Sequence, residues 1–224
     1  MDRINTRPLL KNAVWSFIAF CAFSQPIFAS DNDDKTMYQV TITNLTPGET
    51  FTPILVASHK KAPPLFKLGM PASEELAIVA ESGNTDPLLN HLKDTGVAYD
   101  AVSTGALLAP GASVTVNVKT KGKFNRVSVV SMLIPTNDAF FAVNGVKVKR
   151  YKTIMSPAYD AGSEMNDELC ANIPGPACGG EAISAADGEG FVHIHSGIQG
   201  VGDLSAAKYD WRNPVAKITI KRMK

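Results

Sequence analysis

The sequence predicts a mainly β protein, an antiparallel β-sandwich of about eight strands carrying two short inserted helices. Three observations predict it. Apolar and polar residues alternate with period two in separate stretches, clearest where Tyr38, Val40 and Ile42 alternate with Gln39, Thr41 and Thr43. Turn residues punctuate these stretches at short intervals, with 17 Gly and 14 Pro in 224 residues. Helix start and stop signals are confined to one region, residues 73–96.

The elements follow in order. Arg3, Arg7 and Lys11 precede an apolar run from Ala13 to Phe23, and Ile27-Phe28-Ala29 places a small residue at a cleavage position. Residues 1–29 therefore read as a signal peptide, and the chain as secreted or periplasmic. The run is too short to span a bilayer, which takes roughly 20 apolar residues, so no membrane span is expected after cleavage. Phe20 before Cys21 argues against a lipoprotein site, which needs a small residue there. Residues 30–36 are a polar lead-in and 37–224 the sandwich domain.

The first strand stops at Asn44-Leu-Thr-Pro-Gly48, and Phe51 to Ser58 is a second, with Pro53 marking an edge or bulge. Ser73 caps a helix through Glu74, Leu76, Val79 and Glu81 that Gly83 closes. Asp86 caps another, with Pro87 in its first turn, Leu88, Leu89 and Leu92 as its apolar stripe, and Gly96 just past its end. Val114, Val116 and Val118 form the next strand, followed by a turn at Lys121-Gly-Lys123. Val127 to Ile134 is a more continuous apolar run and is expected to be a central strand. Phe140 to Val143 and Val146 to Val148 flank Asn144-Gly145, a hairpin dipeptide. Phe191 to His195 and Val215 to Lys221 complete the set.

Composition removes some functions. The formal charge is +1 and no basic patch stands out, so nucleic acid and anionic membrane are not expected partners. There is no Gly-x-Ser-x-Gly, His-Glu-x-x-His or phosphate loop, so the chain is expected to be non-catalytic. Cys170 and Cys178 remain after the leader is removed. In an exported chain two cysteines this close, joined by the turn-rich Ala171-Asn-Ile-Pro-Gly-Pro-Ala177, are expected to pair; a second pair for a zinc site is missing.

The chemistry concentrates in Pro157-Ala-Tyr-Asp-Ala-Gly-Ser-Glu164, where Asp160 and Glu164 flank Gly162. Asp138 stands before the Phe140-Phe141 pair. Three carboxylates converging from loops suit a hard cation such as Ca²⁺, with carbonyls and water completing about six to eight oxygens. The same acids also read as solvated loop residues or caps.

Five motifs occur in order: Asn137-Asp-Ala-Phe-Phe-Ala142, Pro157 to Glu164, Ile173-Pro-Gly-Pro176, Gly188-Glu-Gly-Phe-Val-His193 and Asp210-Trp-Arg-Asn-Pro-Val-Ala216. Together they resemble a bacterial spondin-type domain, of the kind named for F-spondin and mindin, over nearly all of Tyr38 to Met223. The resemblance implies an antiparallel β-sandwich that binds Ca²⁺ through loop carboxylates and serves adhesion or extracellular recognition. It implies Asp138, Asp160 and Glu164 as metal ligands. The departure is at Glu164, where the family pattern has aspartate. The partner implied is an extracellular or envelope protein or glycan.

An alternative centres on His193-Ile-His195. Strand alternation puts both imidazoles on one face, where they suit a transition-metal enzyme completed by Glu189 or Asp203. The plainer reading is that they hydrogen-bond loop backbone or cover a sheet face. Trp211 is expected to be buried, and Arg212 to pair with a loop carboxylate, the two also being candidates for a partner hot spot.

Overall fold

In chain order the strands are β1 (Lys35–Asn44), β2 (Thr50–Phe51), β3 (Leu55–His59), β4 (Ala98–Ser103), β5 (Ser113–Lys121), β6 (Arg126–Ile134), β7 (Ala139–Lys147), β8 (Tyr151–Ser156), β9 (Ala158–Asp160), β10 (His193–Ile194) and β11 (Ala216–Arg222). The helices are α1 (Glu74–Ser82), α2 (Asp86–Asp94) and the single turn α3 (Ala206–Tyr209), with a 3₁₀ turn at Cys170–Asn172. This computed structural model describes residues 1–2, 35–184 and 187–224, and Asp33–Lys224 form one compact unit. The leader's apolar run and cleavage position lie outside the described residues.

Two antiparallel sheets face each other. The smaller has the order β5-β1-β11-β8 and the larger β10-β9-β7-β6-β3-β4, with β2 also on β6. The smaller sheet is wet on one side, which is why its strands alternate. Val40, Ile42, Val118, Ile218 and Ile220 turn inward, while Thr41 and Thr43 hydrogen-bond Thr115 and Ser113 on the outer face, both at 2.8 Å.

The larger sheet is covered on both sides. Val56, Val129, Leu133, Phe141 and Val143 enter the core between the sheets. Their chain neighbours Leu55, Ala57, Val130, Phe140 and Ala142 join Leu76, Val79, Leu88 and Leu92 of the two helices in a second core. The continuous apolar run of β6 follows from this double burial, at about 1.5–3 kcal/mol for each large side chain removed from water. The helices thus cover the outer face of the large sheet.

Helix α1 starts as read, with Ser73 Oγ accepting from the Leu76 N–H at 3.3 Å and Gly83 closing it at φ 69°. For α2 the cap moves one residue earlier, to Thr85, which places Asp86 and Pro87 in the first turn. Pro53 separates β2 from β3, both of which pair with β6.

The Asn144-Gly145 hairpin is corrected. β7 runs straight through it, and β6 pairs with β7 on both sides, Val127 with Val146 and Val129 with Val143. Ser128 therefore opposes two residues, a β-bulge with Gly145 at φ 65°. Ser128 Oγ accepts from the Gly145 N–H at 2.9 Å, and Asn144 turns its amide to the Leu65 N–H and the Phe66 carbonyl. Turn chemistry is satisfied without reversing the chain. Strands β4, β8 and β9 were not read from the sequence either. In β8 burial alternates but the apolar residues do not, since Tyr151 and Met155 face solvent, and β9 has only three residues, so neither shows a sustained apolar period in the sequence. β1 also begins at Lys35, inside the expected lead-in.

Candidate metal centre

Three adjacent strands of the large sheet carry the acidic motif to one place. The order β10-β9-β7 and the register Ala139–Asp160–His193 set Asp160 directly between the start of β7 and His193. Neighbouring strands lie about 4.8 Å apart, so side chains in this register meet. Asp138 precedes β7, and its carbonyl accepts from the Ala161 N–H.

Asp138 and Asp160 are fully buried. Asp138 Oδ2 accepts from the Ser163 N–H at 2.8 Å, the Ser163 hydroxyl at 3.3 Å and the Glu164 N–H at 3.1 Å. Its Oδ1 is buried and has no hydrogen-bond partner. Burial, and then the charge of Asp160, push the Asp138 carboxyl up to about 8.

Asp160 is held at both oxygens. Oδ1 accepts from the Gly162 N–H at 2.8 Å and Oδ2 from the Asn166 amide at 2.7 Å. Behind Asn166 stands His195, whose Nε2 lies 3.0 Å from Asn166 Oδ1 and whose Nδ1 accepts from the Gly197 N–H at 2.9 Å. An acceptor at Nδ1 makes Nε2 the donor, so the relay runs Gly197 to His195 to Asn166 to Asp160. Both His195 nitrogens are thereby engaged. The ring packs 5.1 Å from Trp211, which is buried as expected.

His193 differs. Its Nδ1 lies 3.1 Å from the Ile194 carbonyl oxygen. Its Nε2 is buried without a hydrogen-bond partner, 3.5 Å from Asp160 Oδ1 and 3.7 Å from Glu189 Oε2. Burial disfavours the imidazolium, but the Ile194 carbonyl and the charges of Asp160 and Glu189 outweigh it, so its pKa is raised. Both histidines do approach Asp160 from one face, as the alternation predicted.

Glu164 lies in the same loop, with one carboxylate oxygen engaged and the other free. Oε1 accepts from the Ser184 N–H at 2.6 Å, and Oε2 is buried without a partner. Burial raises its pKa, and the charges of Glu81 and Asp167 add to that. Among the described residues, the metal-ligating side chains whose donor atoms all fall within 4.8 Å of one another are Asp160, Glu189 and His193. Asp203 donates no ligand to this group; its Oδ2 accepts from the Cys170 N–H at 2.9 Å.

Sequence reasoning weighed Glu189 only as an accessory and missed Asn166 and Glu168. Glu168 sits at φ 56°. Its carboxylate takes the N–H groups of Gln199, Gly200 and Val201 at 2.5–2.9 Å, pinning the chain after the histidines. No local motif marks such a role. Cys170 and Cys178 are joined as a disulfide. A polar cleft of about 440 Å³ opens beside the centre, lined by His195, Gln199, Asp210 and Arg212 among others. Arg212 is ion-paired with Asp210 and largely exposed.

Two facing antiparallel sheets with an acidic loop cluster at one end define a β-sandwich whose chemistry sits at its rim. The family model Spondin_N matches residues 34–162, more than half of the chain, and the protein belongs to that family, a group of extracellular, generally non-catalytic modules. No curated protein matches the chain. The matched region contains Asp138 and Asp160; Glu164, the disulfide, Glu189 and both histidines lie beyond it. Among the described residues no helix is long and apolar enough to cross a membrane.

Proposed function

We propose that this protein is a secreted or periplasmic recognition module, without catalytic activity, whose loop rim is ordered by Ca²⁺ and presented to an extracellular or envelope protein or glycan. The observation that carries the reading is Asp138 Oδ1, a carboxylate oxygen that is fully buried, unpartnered and set beside a second buried carboxylate, Asp160. Such an arrangement is costly unless a positive charge compensates it. Hard oxygen donors fit Ca²⁺.

Asp138 and Asp160 would hold the ion, and it would supply charge neutralisation rather than a reaction. Glu164 acts on the same loop by giving its N–H to Asp138, and its own unpartnered Oε2 is the remaining carboxylate oxygen of the expected set. An enzyme built on both imidazoles finds less support, because the two nitrogens of His195 are already engaged.

The test is thermal unfolding of the full chain in chelator and in millimolar Ca²⁺. Binding only to the folded state, at about a hundredfold excess over Kd, is worth about 2.7 kcal/mol. For a domain of this size that raises Tm by about 5–10 °C. Asp138→Asn is expected to abolish the gain. Superimposable wild-type curves in chelator and Ca²⁺ would end the reading.

A further inference from the structure

The pair formed by His193 and Glu189 is not explained by an oxygen site at Asp138 and Asp160. A carbonyl oxygen can only accept, so the contact with Ile194 makes His193 Nδ1 the donor. In the neutral ring Nε2 then carries a lone pair. That nitrogen is buried without a hydrogen-bond partner, 3.5 Å from Asp160 Oδ1 and 3.7 Å from Glu189 Oε2, so a positive charge, proton or metal ion, is favoured among the three atoms. These separations exceed a good hydrogen bond. They are close to the edge of a tetrahedron around a small divalent ion, where bonds of about 2.0–2.1 Å place donors about 3.3 Å apart.

The surroundings are built for ligation. An imidazole whose other nitrogen bonds a backbone carbonyl is the usual arrangement of a metal-bound histidine. Asp160 is fixed by Gly162 and by the Asn166–His195–Gly197 relay. The Asn166 amide also lies 3.4 Å from Glu189 Oε1, so one side chain orients both carboxylates. Ser163 and Glu164 occupy Oδ2 of Asp138, the residue before β7, and β9 with Asp160 lies between β7 and the β10 strand of His193.

We propose that Asp160, Glu189 and His193 form a second cation site, selective for a borderline transition ion such as Zn²⁺, next to the Ca²⁺ site and sharing Asp160 with it. One nitrogen and two carboxylates suit Zn²⁺ or its neighbours better than Ca²⁺. The ion ties the 187–193 segment to β9. Glu189 is exposed, so the coordination sphere stays open to water or to a donor from outside.

The experiment titrates Zn²⁺ alone into metal-stripped full-length protein, with millimolar Ca²⁺ present throughout, and follows it by calorimetry and by the visible spectrum of the Co²⁺ form. The expected result is one Zn²⁺ per chain. That binding is lost in His193→Gln and Glu189→Gln, weakened about 10- to 100-fold in Asn166→Ala, and unchanged in His91→Gln, a histidine on α2 that faces Glu75. Melting of His193→Gln in chelator checks that the variant folds, and its Ca²⁺ response is expected to persist, whereas Asp138→Asn loses the Ca²⁺ response and keeps Zn²⁺. Failure of the Ca²⁺ arm alone would thus leave this site standing. No Zn²⁺ binding by wild type, full Zn²⁺ binding by a folded His193→Gln, or Zn²⁺ displaced stoichiometrically by Ca²⁺ would overturn the proposal.

Discussion

Asp138 is the residue on which pH acts most directly. Its carboxyl titrates near 8 in the folded chain, raised by burial and by Asp160, against about 3.9 in an unfolded one. Between those values the folded state holds a proton that the unfolded state has released, so stability falls as pH rises through the window and levels off above it. In chelator, the Tm of wild type is expected to decline from about pH 4 to about pH 8 relative to Asp138→Asn. Ca²⁺ is expected to flatten that decline, since the ion replaces the proton. Melting curves at several pH values with and without Ca²⁺ check this, and parallel profiles for wild type and variant would count against it.

At the scale of elements, the site depends on two loops in backbone contact. Gly162 follows β9 at φ 66°, and a Cβ there would run into the Phe191 carbonyl oxygen and lie 2.7 Å from the Phe191 nitrogen. Its carbonyl accepts from the Gly190 N–H at 2.8 Å. A Cβ on Gly188 would in turn lie 2.5 Å from the Gly162 oxygen. Only residues without side chains allow the segment before β10 to lie against the β9 loop. Gly162→Ala is expected to cost about 2–4 kcal/mol from left-handed strain and the clash, and to abolish Ca²⁺ and Zn²⁺ stabilisation together. Denaturant titration with each ion reads both effects. The bulge at Gly145 makes the same point about β7: a strong turn dipeptide was legible, but whether the chain reverses there depends on a partner strand the dipeptide does not see.

At the scale of the molecule, two cores lie on opposite faces of one sheet. Leu76 is fully buried in the outer core with Val130 and Phe140. Leu76→Ala is expected to lose about 2–5 kcal/mol while leaving the Ca²⁺-dependent gain in Tm unchanged, because Leu76 offers no ligand atom and the carboxylate of α1 that reaches the rim, Glu81 beside Ser163 and Glu164, is untouched. Calorimetry in chelator and in Ca²⁺ separates the two quantities. A lost Ca²⁺ response in this variant would mean that the helices and the rim are one cooperative unit.

The sequence by itself determined the strands with clear alternation, the central place of β6, the helices α1 and α2 and the disulfide partners, and it singled out Asp138 and Asp160 as candidates. These are local signals, written in period, caps and motif. Tertiary structure alone decided that Asn144-Gly145 is a bulge, that Glu164 faces Ser184, that His195 orients Asn166 while His193 keeps a free nitrogen, and that Glu189 joins it. Each of those outcomes turns on which strand lies beside which and in what register. Residues tens of positions apart become neighbours at hydrogen-bond distance, and a one-residue change of register would send the same side chains to the opposite face.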